Sequence, residues 1–360
     1  MKTAVVILNW NTKDYLERFL PPLLQSCEGL DAEVIVADNA SSDASLELLS
    51  ASFPAVKTIA LDRNYGFTGG YNRALESLDA EYFVLINSDV EVSQGWLAPL
   101  VCWMDTHPDC GACAPKLHAL QDRDSFEYAG AAGGLIDAFG YPFCRGRVLS
   151  RVEKDEGQYD SPATVLWATG ACLMVRSSVW RSMGGLDDRF FAHMEEIDMC
   201  WRMQLAGWKV QVVPESLVYH LGGGTLPQNS PFKLRLNYRN NLLMLENNLA
   251  RSFALESGNP HKALRRANRL IGVRMLLDWG SALVYALTLK WDYVKAVYHA
   301  HEEFRALRRP VTPDELSRLI EENPARRNII GRWKGCILLE AMLLRERIFA
   351  YLRKCNSLDA

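Results

Sequence analysis

The first part of the chain alternates short apolar runs with stretches of helical periodicity. The apolar runs occupy residues 4–8, 33–37, 58–61 and 82–86, and helix-patterned stretches at 15–25, 44–51 and 71–78 separate them. Continuous apolar strands between helices are typical of a parallel sheet covered on both faces. The pattern predicts an α/β sheet, in which ligands bind at the carboxyl ends of the strands.

The pattern changes twice further along the chain. It loosens after the fourth strand through about residue 165, which predicts loops and an irregular extension of the sheet. A strand at 171–175, a helix at 197–206 and a strand at 210–213 follow. From Pro231 onward nearly everything is helix-patterned, with breaks at 257–260 and 309–313. We therefore expect a sheet domain over 1–228 and a helical region over 229–360.

Charge separates the same two regions. Residues 1–230 carry 17 basic and 30 acidic side chains, whereas residues 231–360 carry 23 and 13. An acidic half can concentrate carboxylates around a metal ion, and a basic helical half can face anionic lipid or another polyanion.

Nine cysteines at irregular spacings, with no signal-peptide pattern before them, favour a reducing compartment, so we expect a cytoplasmic protein. Cys110 and Cys113 form an isolated pair without a second pair at metal-site spacing. We expect both to be core cysteines.

Polar residues follow the second strand. Asp38 stands where the strand ends and could accept hydrogen bonds from a base or ribose. Asp38 or Ser41 could equally cap the next helix. Asp43 is expected to be a cap or a buried partner.

A glycine-rich segment, residues 64–72, lies between the third strand and the next helix. Glycines there permit a backbone that approaches phosphate or ribose. The segment matches neither the GxGxxG nor the GxxxxGK[ST] pattern, and such segments are often only turns.

Two separated residues are candidate metal ligands. Asp89 follows the fourth strand, and oxygen ligands of this kind suit Mg²⁺ and Mn²⁺. His220 follows a strand-like run and precedes three glycines. Alone, Asp89 could be a turn residue and His220 a structural hydrogen-bonding residue; together they favour a metal site.

The densest charged cluster contains Glu195, Glu196 and Asp198 within an apolar and aromatic stretch. Mutual repulsion favours a raised pKa for at least one carboxyl, which would make it a candidate general base. The alternative is an acidic helix amino terminus favoured by the helix dipole.

Taken in order, these segments resemble the glycosyltransferases of family 2, with the GT-A fold, and especially their bacterial rhamnosyltransferase-like branch. The resemblance runs colinearly over about residues 3–225 and includes the linking segments 169–172 and 184–191. As a set the motifs are highly specific.

The resemblance implies a role for each matching residue. It implies nucleotide contacts from Asn9 and Asn11 and a base or ribose contact from Asp38. The residues implied to line the donor pocket are Asn64, Gly66, Asn72 and Ser88. It also implies metal ligation by Asp89 and His220, and Glu196 as the base that deprotonates the acceptor hydroxyl.

Two residues depart from the family pattern. Asn87 replaces the first carboxylate of the DxD-like triplet, which implies modest metal affinity until the donor's diphosphate binds. Glu196 replaces the usual Asp, and its extra methylene moves the carboxylate by about 1 Å. The assignment of the base among Glu195, Glu196 and Asp198 therefore stays open.

The stretch Leu270–Trp291 is apolar but interrupted by Arg274, Asp278 and Lys290, so we expect no membrane-spanning helix. With its aromatic and basic residues it could lie on an anionic membrane surface. A helical subdomain or a homodimer interface is the alternative.

The sequence thus predicts an inverting glycosyltransferase that uses Mg²⁺ or Mn²⁺, a nucleotide-diphosphate sugar donor and a glycan or lipid-linked acceptor. No nucleic-acid partner is expected. A sugar nucleotidyltransferase is one alternative, although residues 8–12 lack its basic phosphate loop. A noncatalytic nucleotide-sugar-binding or assembly subunit is the other.

Overall fold

The computed structural model of the 360-residue chain describes residues 1–222, 230–323 and 328–355. The expected domain boundary at 228/229 and the glycines after residue 222 of the motif at His220 lie outside the described residues.

Thirteen strands occur in the described residues. In chain order they are β1 (Thr3–Asn9), β2 (Ala32–Asp38), β3 (Lys57–Ala60), β4 (Tyr82–Ile86), β5 (Val90–Val92), β6 (Cys110–Ala119), β7 (Gly134–Ile136), β8 (Pro142–Cys144), β9 (Arg147–Val148), β10 (Arg151–Val152), β11 (Ala163–Thr164), β12 (Cys172–Arg176) and β13 (Lys209–His220).

The helices cover the sheet and then form the carboxyl-terminal region. They are α1 (Lys13–Cys27), α2 (Ser45–Ser52), α3 (Gly66–Glu76), α4 (Leu97–Thr106), α5 (Ser177–Ser182), α6 (Glu195–Leu205), α7 (Pro231–Ser257), α8 (Pro260–Leu287), α9 (Trp291–Leu307), α10 (Pro313–Glu322), α11 (Ile337–Leu344) and α12 (Ile348–Lys354).

The central sheet is mixed. Its order is β11-β13-β6-β12-β4-β1-β2-β3, with β5 also paired to β13. The β3-β2-β1-β4 half is parallel, as the apolar runs predict. β12 inserts antiparallel between β4 and β6, and β6 then pairs parallel with β13. In place of the expected extension of the central sheet, β7 to β10 form a separate four-stranded antiparallel sheet.

Both faces of the central sheet are covered. Ala4 and Val6 of β1 belong to one buried cluster, and their neighbours Val5 and Ile7 belong to another. This alternation follows from the two-residue period of a strand, so a continuous apolar run supplies both layers. The prediction of an α/β sheet with helices on both faces is confirmed.

Helix α7 joins the carboxyl-terminal region to the sheet domain. Leu242, Leu245 and Leu249 are buried in the same hydrophobic cluster as Val6. The indole nitrogen of Trp201 in α6 donates to Ser252 Oγ of α7 at 2.9 Å. The helical region is therefore packed continuously with the sheet domain.

Local signals set several element ends. Ser230 and Asn259 cap α7 and α8 through their side chains, and each helix begins with proline. Gly258, with φ 66°, ends α7 at the expected break. Asp43 accepts hydrogen bonds from the backbone of Ser45 and Lys13, the first residues of α2 and α1, although the N-cap residues of these helices are Ala44 and Thr12.

In the segment 97–119, the expectation for the two cysteines is confirmed and the expectation of irregular structure is wrong. Cys110 and Cys113 are buried and not disulfide-bonded, as expected, and burial raises the pKa of Cys110 to about 12. The pattern predicts loops between residues 97 and 119, whereas the structure has helix α4 and the long strand β6 there. Lys116 and His118 interrupt the apolar pattern of β6, but both are buried against Asp155.

Candidate active site

A cavity of about 890 Å³ lies at the carboxyl ends of β1, β2, β4 and β13. Its volume suits a nucleotide-sized ligand. The sheet, the segment before β12, α6, α7 and α8 all contribute to its walls. Lining residues include Asn39, Asn64, Asp89, Glu127, Glu196 and His220.

Asp89 and His220 meet in this cavity. β5 pairs antiparallel with the end of β13, and this pairing brings together residues 131 positions apart. His220 Nε2 lies 3.2 Å from Asp89 Oδ1, and both side chains are buried. The predicted pair of ligands is therefore one cluster in the structure.

Glu127 completes this cluster, and the sequence patterns did not single it out. Its Oε1 lies 3.3 Å from His220 Nδ1, and its Oε2 accepts from Ala129 N. Burial lowers the pKa of His220, but contacts with Asp89 and Glu127 outweigh burial and raise it to about 10. Glu127 lies in the irregular region after β6, where no periodicity signals its position.

The pair fits a divalent ion. Two ligands at neighbouring corners of an octahedral ion, each about 2.1 Å from it, lie about 3 Å apart, close to the 3.2 Å observed. His220 Nδ1 lies 3.3 Å from the Glu127 carboxylate, and a carboxylate beside the second ring nitrogen is typical of metal-binding histidines. Within 1–222, 230–323 and 328–355, no group of three or more His, Cys, Asp or Glu side chains is arranged to hold a metal. A substrate would have to supply further ligands.

The second chemical feature is the turn 190–194 before α6. Phe191, His193 and Met194 all have positive φ, at 64°, 72° and 70°. Left-handed backbone at residues other than glycine is unfavourable by about 1–3 kcal/mol each. Strain of this kind persists only where the surroundings hold it, and here it aims the first turn of α6 into the cavity.

Two elements hold the turn 190–194. The Nδ2 amide of Asn240 in α7 lies 2.9, 2.7 and 2.7 Å from the carbonyl oxygens of Phe190, Ala192 and His193. On the other side, the backbone N–H of Phe67 donates to Phe191 O at 2.7 Å. Thus α7 and α3 together hold the backbone that precedes Glu195 and Glu196.

Gly66 is required for this contact. Its φ is +71°, and a Cβ there would lie 2.5 Å from Phe191 O. The glycine-rich segment therefore approaches the turn 190–194, and two of its N–H groups, at Phe67 and Thr68, bind Phe191 O. Helix α3 begins at Gly66, five residues before the predicted start.

Glu195 and Glu196 both line the cavity, and each has a buried carboxyl oxygen without a hydrogen-bond partner. Burial raises the pKa of Glu196 to about 7. Burial and then repulsion from Glu196 raise the pKa of Glu195 well above its usual range. Near neutral pH, Glu196 is the member of the pair that can exchange a proton.

Asp198 lies outside the cavity, contrary to its candidacy as the base. It is fully buried and accepts hydrogen bonds from Arg202, Asn247 and Asn248 at 2.7 to 2.9 Å. Because an α-helix turns by about 100° per residue, Asp198 lies about 200° around α6 from Glu196 and points away from the face of that residue. It joins α6 to α7.

The predicted donor-site residues divide into two groups. Asn64, Gly66 and Ser88 line the cavity. Asn39, next to Asp38, also lines it, and its side chain bonds to Asn64 and Gly66.

The other predicted donor contacts lie outside the cavity lining, because their polar atoms bind the protein itself. The Asp38 carboxylate accepts from Asn9 Nδ2 at 2.8 Å and from Ser41 N at 2.9 Å. Asn11 accepts from Ser42 N at 2.7 Å. Asn72 bonds to Leu186 and Asp188 beside a separate, smaller pocket. These four residues shape the backbone around the cavity.

Cations line the side of the cavity formed by the carboxyl-terminal region, and sequence patterns did not identify them as site residues. They are Lys233 of α7 and Arg274 of α8, and Arg147 of β9 is a third cation in the cavity lining. Burial lowers the pKa of Lys233, and burial followed by repulsion from Lys233 lowers the pKa of His193 to about 4. His193 is therefore neutral, and this end of the cavity favours an anionic ligand.

Comparison with known proteins identifies the family. Residues 4–181 match the profile described as glycosyl transferase family 2. The N-acetylglucosaminyl-diphospho-decaprenol L-rhamnosyltransferase of Mycobacterium tuberculosis is 29% identical over 234 residues, covering 60% of this chain and 75% of that protein.

Two solved structures share the fold. S. aureus TarS 1–349 in complex with UDP-GlcNAc superimposes with a TM-score of 0.52 at 13% identity, covering 90% of this chain and 92% of that chain. GalNAc-T7 with UDP, GalNAc and Mn²⁺ gives 0.51 at 17% identity, covering 68% and 48%.

The sheet with helices on both faces agrees with these matches. The chain belongs to glycosyltransferase family 2, has the GT-A fold, and resembles the rhamnosyltransferases of that family.

Proposed function

We propose that this protein is an inverting, metal-dependent glycosyltransferase of bacterial cell-surface polysaccharide synthesis. It transfers a sugar from dTDP-rhamnose, or from a UDP- or GDP-sugar, to a hydroxyl of a glycan or lipid-linked acceptor. The supporting observation is that the Asp89–His220 pair and the Glu196 carboxyl line one cavity.

Asp89 and His220 are the residues that would hold Mg²⁺ or Mn²⁺. The bound ion would stabilise the charge that develops on the diphosphate leaving group. Asn87 adds no charge, so the protein supplies one carboxylate and one imidazole, and the donor's phosphates complete the ligand set. GalNAc-T7, which shares the fold, was solved with Mn²⁺.

Glu196 is the proposed base. As the acceptor oxygen bonds to the anomeric carbon, the bond from that carbon to the diphosphate oxygen breaks on the opposite face. The hydroxyl proton passes to the Glu196 carboxylate, whose pKa of about 7 suits proton acceptance near neutral pH. One displacement inverts the anomeric configuration.

The carboxyl groups of Glu195 and Asp198 have other proposed roles. Burial and then repulsion from Glu196 raise the pKa of Glu195 well above its usual range, so we assign the shared negative charge to Glu196. We assign Asp198 to positioning, since its carboxylate accepts from Asn247 and Asn248 and so joins α6 to α7.

The acceptor end of the cavity is proposed to be the cationic side. Lys233 and Arg274 come from α7 and α8, so the region 229–360 contributes directly to the site formed by 1–228. An acceptor with a diphosphate, as the name of the mycobacterial relative indicates for that protein, would match these cations. We place the enzyme in the cytoplasm, at the inner face of the cytoplasmic membrane.

The test compares Glu196→Gln, Asp89→Ala and the exposed control Glu47→Gln in a transfer assay. Purified protein is incubated with a panel of nucleotide sugars, Mn²⁺ or Mg²⁺ and candidate acceptors, and NMR of the product reports its anomeric configuration. We expect wild type and Glu47→Gln to transfer with inversion and the other two variants to lose about 100-fold or more in rate.

Three outcomes contradict the proposal. Near-normal transfer by both Glu196→Gln and Asp89→Ala excludes the assigned roles. Donor binding without transfer to any acceptor or to water favours the noncatalytic subunit. Formation of nucleotide sugar from sugar phosphate and a nucleoside triphosphate identifies a nucleotidyltransferase.

A further inference from the structure

Helix α8 has two chemically different faces. Its inner face packs against α7 and α9. The buried residues of this face recur every three or four positions: Ala263, Ala267, Ile271, Arg274, Asp278 and Ala282. This spacing is that of one side of a helix packed on a protein core.

The outer face is apolar and exposed. Leu276, Leu283 and Leu287 are 71%, 61% and 76% exposed. The turn into α9 adds Leu289 and Trp291, 76% and 58% exposed. Clustered apolar side chains of this size on a surface mark an interaction site.

Basic residues flank this apolar face. Lys290 lies in the same turn and is exposed, and Lys262, Arg265 and Arg269 are exposed on the first half of α8. Apolar side chains beside lysine and arginine are typical of helices that lie in the interface of an anionic bilayer.

The same helix borders the proposed active site. Arg274, on the inner side of α8, lines the cavity together with Tyr238 of α7. The apolar face is therefore about one helix diameter, roughly 10 Å, from the acceptor side of the cavity. A surface that binds α8 would be brought close to that end of the site.

We propose that the outer face of α8 and the α8–α9 turn dock on an anionic lipid bilayer, with the leucines and Trp291 entering the boundary between headgroups and acyl chains. This proposal depends on the proposed function only for the purpose of docking, which is the capture of a lipid-linked acceptor. Docking itself requires no donor, metal or catalysis.

Within the described residues, α8 alone is long and apolar enough to cross a membrane by length and composition, and 22% of its most apolar window is buried in the protein. Its packing favours lying on the bilayer over spanning it. Arg274 Nε bonds to Asp278 at 2.9 Å, and Asp278 lies 3.2 Å from His301 of α9, all buried. Spanning would separate these charges and expose them to hydrocarbon.

The charge pattern also favours a bilayer over a second copy of the chain. In a twofold-symmetric dimer the same patch meets itself, and a patch flanked mainly by Lys262, Arg265, Arg269 and Lys290 offers few carboxylates to pair with those cations. An anionic lipid surface attracts those residues instead.

The experiment is flotation of the full chain with vesicles of phosphatidylglycerol and phosphatidylcholine, at low and at physiological salt, without donor or metal. The test variant is Leu283→Glu/Leu287→Glu. The control is Leu30→Glu/Leu46→Glu, which changes two exposed leucines elsewhere. Thermal unfolding and transfer to a water-soluble acceptor are measured on each protein.

We expect wild type and the control to float with anionic vesicles, more weakly at higher salt, and the test variant to bind at least about tenfold less tightly. Its unfolding temperature and its transfer to the soluble acceptor should stay unchanged.

The docking proposal is overturned if wild type stays unbound at low salt, or if both variants bind equally well. A dimer in sedimentation velocity that Leu283→Glu/Leu287→Glu dissociates, without vesicle binding by wild type, assigns the face to self-association. Vesicle binding in a protein without transferase activity would refute the proposed function alone.

Discussion

The side-chain amide of Asn240 lies 2.7 Å from the carbonyl oxygen of His193, three residues before Glu196. Helix α7 thereby holds the strained turn that presents the proposed base. The family profile ends at residue 181, so this contact lies wholly beyond the matched segment. The carboxyl-terminal region is therefore part of the proposed active site.

The first prediction concerns Asn240→Ala. Without the amide, the carbonyl oxygens of Ala192 and His193 lose the donor that lies 2.7 Å from each, and the left-handed residues 191, 193 and 194 lose support. We expect kcat to fall about 10- to 100-fold, because misplacement of a reacting group by about 1 Å has an effect of this size. Donor Kd should stay unchanged.

Steady-state kinetics and donor titration measure this split between kcat and donor affinity. The control is Asn268→Ala, which removes an exposed helical amide. Equal losses of kcat in both variants, or a weaker donor Kd with unchanged kcat, would contradict a positioning role.

The pH dependence of transfer forms the second prediction. The active form of Glu196 is the carboxylate, and burial raises its pKa to about 7. Since the protonated form accumulates below that pH, kcat/KM should fall about tenfold per unit of pH below 7 and reach a plateau above it. A profile measured from pH 5 to 9 with saturating metal checks this, and a midpoint near 4 would indicate an exposed carboxylate as the base.

Glu127→Gln tests the contact with His220. Glu127 Oε1 lies 3.3 Å from His220 Nδ1. Loss of the carboxylate should leave the imidazole ring less firmly oriented and should lower the basicity of His220. We expect Mn²⁺ affinity to fall about 10- to 100-fold, the usual effect of replacing a carboxylate behind a metal-binding histidine. Calorimetric titration with Mn²⁺ and nucleoside diphosphate measures this without turnover.

The exposed substitution Glu156→Gln serves as the control for the same change of charge. Unchanged Mn²⁺ affinity in Glu127→Gln would show that the carboxylate does not support the ligand.

Gly66→Ala should separate a steric clash from backbone strain. Gly66 and Gly29 share positive φ, at +71° and +76°, but a Cβ at Gly29 meets nothing within 4 Å, whereas at Gly66 it would meet Phe191 O. We expect Gly29→Ala to lower the free energy of unfolding by about 1–2 kcal/mol. Gly66→Ala should lower it by at least about 1 kcal/mol more.

Chemical denaturation measures both values. Equal effects of the two substitutions would mean that the turn 190–194 relaxes away from α3 without loss of stability. In that case, the contact between Gly66 and Phe191 would not constrain the turn.

Much of the sheet could be predicted because each of its parallel strands is a short apolar run in the sequence. The run 82–86 is apolar throughout and is β4 in the structure, and its end places Asp89 at the sheet edge. Strand β6 was missed because Lys116 and His118 break its apolar pattern. Only their burial against Asp155, about 40 residues away, makes them compatible with a core strand.

In the donor site, too, the sequence locates a segment without showing which of its side chains faces the cavity. The motif after β2 correctly marks a cavity wall, yet Asn39 lines the cavity while Asp38 faces Asn9 and Ser41. Neighbouring residues at a strand end point in different directions, so a motif locates the wall without identifying which side chain reaches the ligand.

The sequence by itself determined the family, the parallel half of the sheet and the strand-end residues Asp89 and His220, because hydrophobic periodicity and motif order are local properties of the chain. Only the tertiary structure decided that Glu127 stands behind His220, that Asp198 joins α6 to α7, and that Asn240 holds the turn before Glu196. These roles depend on contacts between residues about 45 or more positions apart, and no local pattern encodes such contacts.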